Sequence, residues 1–188
     1  GLSDVVLGKF KFVAKGEAMN ITSIGWNFAL TTTTDGALWS DITNVVVYDG
    51  DGNSVAGPVD PAVNSDGSTT DGTSVSTMTA TTTDTLTIPV GEVEYTVKGK
   101  LSNDFGAGDT LQAGISIGAA TIKGDVTGNT VTGTPSTKVQ STSLTVRSAA
   151  LALSVSSEPA SQTVVAGQNG FLAANFIFDA STSGDDIE

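Results

Sequence analysis

The sequence predicts an all-β fold, an Ig-like or jelly-roll β-sandwich. Short apolar runs recur with a period of two, Gly, Asp, Asn and Pro punctuate them, and helical periodicity is nearly absent. Thr, Ser, Gly and Ala dominate and only 15% of residues are charged, a palette that suits strands joined by small-residue turns. At 188 residues the chain can bury a real core without staples, and having no cysteine it carries none.

The expected strands, in order, cover residues 5–14, 20–31, 44–48, 84–89, 94–101, 110–119, 138–147, 150–156, 162–165 and 171–180. In the first, Phe10 and Phe12 alternate with Lys9 and Lys11, so the aromatic face enters a core while the lysines face water. Trp26 and Phe28 repeat the pattern after Ile24 and join the same predicted core. Farther on, Ile88 leads into a Pro-Val-Gly corner, and Val93, Tyr95 and Val97 then share a face; Pro89 suits a strand end. Residues 64–83 are rich in Ser, Thr, Gly and Asp and poor in apolar side chains. They read as a long polar surface loop or insertion, and their hydroxyl density would suit O-linked glycans.

Composition excludes much chemistry. Histidine is absent, which removes the usual general base near neutral pH, the usual zinc ligand and the histidine of hydrolase triads. Paired carboxylates could still serve a glycosidase, but Glu92 and Glu94 lie two apart on one strand and aromatics make up only 6% of the chain. An enzyme is therefore not expected. The net charge of −12, from 20 acidic and 8 basic residues, opposes nucleic acid and anionic membrane as partners. No run approaches the roughly 20 apolar residues that span a bilayer, so membrane insertion is not expected either. The opening Gly-Leu-Ser-Asp lacks a charged leader and apolar stretch; any export signal would lie upstream or have been removed.

Two local motifs carry possible chemistry. In "YDGDGNSVAGPVD", Asp49, Asp51 and Asn53 alternate as at the start of a calcium loop, with Asp60 at the twelfth position. Ser54 stands where such a loop needs Gly, and a hairpin tip built on Asp-Gly and Gly-Asn is the alternative. Trp39 could offer a stacking platform to glycans, or act as a lid over one end of the sandwich.

A repeat governs the organisation. "KFKFVAKGEAMNI" returns as "NFIFDASTSGDDI", with Phe10 matching Phe176, Phe12 matching Phe178, Ala14 matching Ala180 and Ile21 matching Ile187. The four pairs share one offset of 166 residues, 176 less 10. Residues 1–149 then form one domain, and 150–188 a strand-rich tail resembling the start of a second repeat. Such a tail either continues a tandem array or is donated to a neighbouring subunit. Its apolar side chains, Val155, Val164, Val165, Phe171, Phe176 and Phe178, would be the assembly strand, with Phe10, Phe12, Trp26 and Phe28 as acceptor and core. Burying about six of them is worth roughly 10 kcal/mol gross, at about 1.5 to 3 kcal/mol each, and would cover a sheet edge that otherwise invites uncontrolled pairing.

The segments "LGKFKFVAKGEAMNITSI", "ITNVVVYDGDGNSV", "TLTIPVGEVEYTVKGKL" and "EPASQTVVAGQNG" resemble the repeated β-sandwich domains of large extracellular, surface-layer-like proteins of uncultured bacteria. In that family a unit opens on the Pro-Ala-Ser-Gln segment, here 159–167, followed by the Phe-X-Phe strand. A Tyr-Asp-Gly hairpin, here at 46–50, and a Thr-Ile-Pro corner, here at 87–91, come next. The resemblance spans most of the chain, although the 64–83 tract is longer and more polar than the pattern. It implies an extracellular, tandemly arranged Ig-like or jelly-roll sandwich that builds or decorates a cell surface. Taken with the repeat, the leading expectation is a building block of a filament or surface layer that assembles with copies of itself. A glycan-binding adhesin, with or without calcium, is the alternative.

Overall fold

The structure, a computed structural model, describes residues 2–33, 37–65, 74–147, 152–167 and 169–180. It divides into two compact units, Gly1–Val146 and Arg147–Glu188.

The first unit is an all-β sandwich of two antiparallel sheets. One sheet has four strands, β1 (Leu2–Ala14), β8 (Gly91–Leu101), β3 (Ile42–Tyr48) and β4 (Ser54–Val59), in that spatial order. The other is built around β2 (Met19–Thr32), which is laddered along both edges. On one side it pairs with β6 (Ser74–Thr82) and then β7 (Leu86–Ile88), with β5 (Ala62–Ser65) outside β6. On the other it pairs with β9 (Thr110–Ile115) and then β10 (Thr121–Gly124). Three two-residue strands finish that flank: β11 (Thr130–Val131) beside β10, and β12 (Val139–Gln140) and β13 (Leu144–Thr145) beside β9. In the second unit β14 (Ala152–Val155) pairs with β15 (Phe176–Asp179).

Side-chain alternation decides which residues meet between the sheets. Ile24, Trp26, Phe28 and Leu30 point inward from β2 and are buried, as are Val45 and Val47 from β3 and Tyr95 and Val97 from β8. Phe10 packs on Trp26 with ring centroids 5.7 Å apart, and Phe12 meets Tyr95 edge-on at 5.6 Å. The polar ends of the large aromatics are satisfied: Trp26 Nε1 donates to Thr82 Oγ1, and Tyr95 OH donates to the Thr87 carbonyl at 2.8 Å.

Several expectations need correction. The tract 64–83 is not a polar loop throughout, because 74–82 forms β6, which pairs with β2 over nine residues from Ile24 to Thr32. Ser76, Met78, Ala80 and Thr82 are its buried face. Threonine is β-branched and fits a pleated strand, and here hydroxyl residues and alanine occupy core positions, which hides the strand from a search for large apolar residues. Residues 66–73 of that tract lie outside the described residues.

The strand expected at 110–119 stops at Ile115 and gives way to a 3-10 turn at 117–119, and 138–147 splits into β12 and β13. No strand forms at 162–165, and 171–180 keeps only β15. Strand β4 was not anticipated. It carries Gly57 at φ +92°, where an added Cβ would lie 2.5 Å from the Val45 carbonyl oxygen, so the position demands glycine. Pro58 follows on this edge strand, where a missing N–H is tolerated.

Met78 separates the two readings of the tract. Met78→Ala should cost about 2 to 5 kcal/mol in chemical denaturation, as for other buried large-to-small changes. A change near zero would return 74–82 to a surface loop.

Candidate functional site

The candidate site is the outer edge of β1. Among the described residues β1 ladders with β8, from Gly8↔Val97 through Ala14↔Gly91 without interruption, and has one isolated bridge besides, from Ala14 to Val90 just ahead of β8. The direction of its free backbone groups follows from its neighbours. Just past β8, Ser102 N donates to Asp41 O at 2.9 Å, towards β3. Backbone groups alternate sides along a strand, so Tyr95 and Val97 aim theirs the other way, at β1. Their partners Phe10 and Gly8 are therefore bonded to β8, and Lys9, Lys11 and Val13 aim N–H and C=O at the open edge.

Beside this edge lies a groove of about 800 Å3. Phe10 and Phe12 wall it on one side, and Ile115, Ile117, Ile122 and Val139 on the other. An unladdered strand edge next to an apolar groove has the chemistry to accept another strand: main-chain groups for pairing, a pocket for alternate side chains. On the outer face of the same sheet, Lys11 Nζ meets Glu92 at 2.8 Å and Lys9 Nζ meets Glu94 at 3.6 Å. The Glu92 partner raises the Lys11 pKa above its ordinary value. These exposed pairs mark the solvent face and contribute little to stability. They also place Glu92 and Glu94 on that face as the lysines' partners.

The predicted acceptor and core residues gather here and in the core behind: Phe10, Trp26 and Phe28 are buried, and Phe12 is half-buried on the groove wall. In the second unit Val155, Val164, Val165, Phe171, Phe176 and Phe178 are all exposed, and of the six only Val155, Phe176 and Phe178 lie on strands.

The Asp49 motif forms the tip of the β3–β4 hairpin. Asp49 accepts hydrogen bonds from the backbone N–H of Asn53 and of Asp51 and from the Asn53 amide. Those from Asn53 lead in holding its carboxyl below its ordinary pKa. Asp60 is turned to another task, accepting from Asn44 N at 2.8 Å. Among the described residues no three acidic side chains are grouped to hold a cation. Trp39 sits in a 3-10 turn at 39–41, half-buried against the core. Asn20, which opens an Asn-X-Thr sequence, has its amide nitrogen on Asp125 and its amide oxygen on Thr87.

Two carboxylates matter more than their sequence context suggests. Asp109, fully buried, accepts from Thr33 N, Thr33 Oγ1, Ala37 N and Gly106 N, with the shortest at 2.8 Å, and so ties two loops together. Glu17, in the β1–β2 turn, accepts from the Thr127 hydroxyl at 2.7 Å and from the N–H groups of Val126 and Thr127. Asp109 closes its own local turn through Gly106, as its place beside the Phe-Gly-Ala-Gly segment suggests, but its Thr33 partner and the Thr127 partner of Glu17 lie 76 and 110 residues away, where no sequence signal reaches. Among the described residues no helix is long and apolar enough to cross a membrane. No family model, curated protein or solved structure matches the chain.

The Glu17 clamp gives a pH test. Bonds from Thr127, then Val126, hold its pKa below the ordinary 4.5. Its contribution is complete above that ordinary value and is lost as pH falls through the lower folded value. The amide shifts of Val126 and Thr127 should therefore titrate with a midpoint below 4.5, and Glu17→Gln should abolish the titration. A midpoint at or above 4.5 would contradict the clamp.

Proposed function

We propose that this chain is an extracellular structural protein, a building block of a filament or surface layer, which assembles with copies of its own fold by β-strand complementation or tandem stacking. The observation that carries the reading is the open β1 edge lying beside an apolar groove. A sandwich with an edge of this kind buries apolar surface and satisfies main-chain groups when another strand is added.

Two further features support it. The Phe-X-Phe strand recurs 166 residues later, so the chain carries part of the same fold twice. The motifs also resemble those of repeated surface-layer-like domains, which build by repetition. A cysteine-free, histidine-free chain of net charge −12 suits a structural role outside the cell better than catalysis. Copies of such a chain repel one another, so salt governs how readily they meet.

Sedimentation velocity tests the reading. Assemblies should grow with protein concentration, and faster at about 0.5 M salt than at about 0.05 M, because screening removes the repulsion. Lys11→Pro should stop growth, since it removes an N–H at the open edge and leaves the ladder to β8 intact. A monodisperse monomer at every concentration and salt would overturn the proposal, as would undiminished assembly of the proline variant.

A further inference from the structure

The second unit specifies what the open edge accepts. We infer that the occupant is the Ala152–Val155 strand of a second copy of this chain, added antiparallel to β1. Its register sets Val155 opposite Phe10, Ser154 opposite Lys11, Leu153 opposite Phe12 and Ala152 opposite Val13. The inference rests on the proposed assembly and names its contact.

The register comes from the repeat. Strand β15 is the second copy of the β1 motif, offset by 166 residues, and β14 is its ladder partner. The pairs are Val155↔Phe176, Ser154↔Ile177, Leu153↔Phe178 and Ala152↔Asp179. Subtracting the offset from the β15 residue of each pair gives positions 10, 11, 12 and 13 on β1.

The edge matches as well as the register. Ser156 N donates to Asn175 O at 2.9 Å, so Asn175 aims its backbone at the β14 side, and by alternation Ile177 and Asp179 do too. Those three correspond to Lys9, Lys11 and Val13, the residues of β1 whose backbone groups face the open edge. Strand β14 thus occupies, on β15, the edge that is unladdered on β1. Had β14 been laddered to the opposite edge, its counterpart on β1 would already be filled by β8.

Side chains agree with this placement. Residues directly opposed in an antiparallel pair share a face, so Leu153 and Val155 would enter the groove beside Phe12 and Phe10. Ser154 would sit outside with Lys11. In the second unit Leu153 and Val155 are 61% and 68% exposed, and the facing Phe178 and Phe176 are exposed too. A two-stranded ribbon four residues long is marginal by itself, so β14 loses little when it leaves β15 for a sandwich whose core it completes.

The chain lacks cysteine, which makes disulfide trapping clean. The full-length double variant Lys11→Cys/Ser154→Cys should form intermolecular disulfides at least about tenfold faster than Lys9→Cys/Ser154→Cys. A two-residue shift moves the partner by about 6.6 Å along the strand, beyond disulfide reach. Both sites lie on the outer face, and hydrogen exchange on the unaltered chain checks the result without substitution. On assembly the amides of Lys11 and Val13 should gain at least about hundredfold protection, while those of Phe10 and Phe12, already bonded to β8, stay as they were.

Equal trapping by the two variants, or unprotected Lys11 and Val13 amides in assembled chains, would overturn the register and leave assembly itself standing. A disulfide closed within one monomer would overturn the second copy as donor. Absence of any assembly in sedimentation would instead sink the function on which the inference rests.

Discussion

The ladder between β1 and β8 is the constraint from which the rest follows. Its uninterrupted register from Gly8 to Ala14 turns Phe10 and Phe12 into the sandwich and bonds them to Tyr95 and Val93. The same alternation that satisfies those backbone groups leaves the intervening ones, on Lys9, Lys11 and Val13, aimed outward. An edge strand cannot avoid this. The strand also brings aromatic side chains to the lip of a groove, so the unsatisfied edge and the uncovered apolar surface coincide.

What holds the acceptor steady is the second sheet. Strand β2 is laddered on both sides, and its inward residues Ile24, Trp26, Phe28 and Leu30 are buried. Asp109 ties two loops of the sandwich together with four accepted hydrogen bonds, which satisfy the oxygens of a buried carboxyl. Glu17 fixes the turn after β10 with lighter, exposed contacts. The groove is thus framed by rigid strands, which lowers the ordering cost of adding another.

Much of the fold was legible from periodicity. The alternation around Phe10, Trp26 and Tyr95 located β1, β2 and β8 because each puts large apolar side chains on one face. Strand β6 escaped because Ser76, Ala80 and Thr82 fill core positions facing β2, where the large residues already sit. Strand β4 escaped because Gly57 and Pro58 read as a breaker, which on an edge strand they need not be. The repeat of Phe10 and Phe12 in Phe176 and Phe178 was plain in the sequence. That the outer side of β1 is the open one was not, since only the topology decides which strand lies at an edge. The contacts of Asp109 with Thr33 and of Glu17 with Thr127 were equally hidden, being made across 76 and 110 residues.

A reconstruction of assembled chains by electron cryomicroscopy, at a resolution that separates strands, tests the central claim most directly. The account predicts a strand of a neighbouring copy running antiparallel along the outer edge of β1, with Leu153 and Val155 facing Phe12 and Phe10. Assemblies in which that edge stays bare, or is filled by the tail of the same chain, would contradict it.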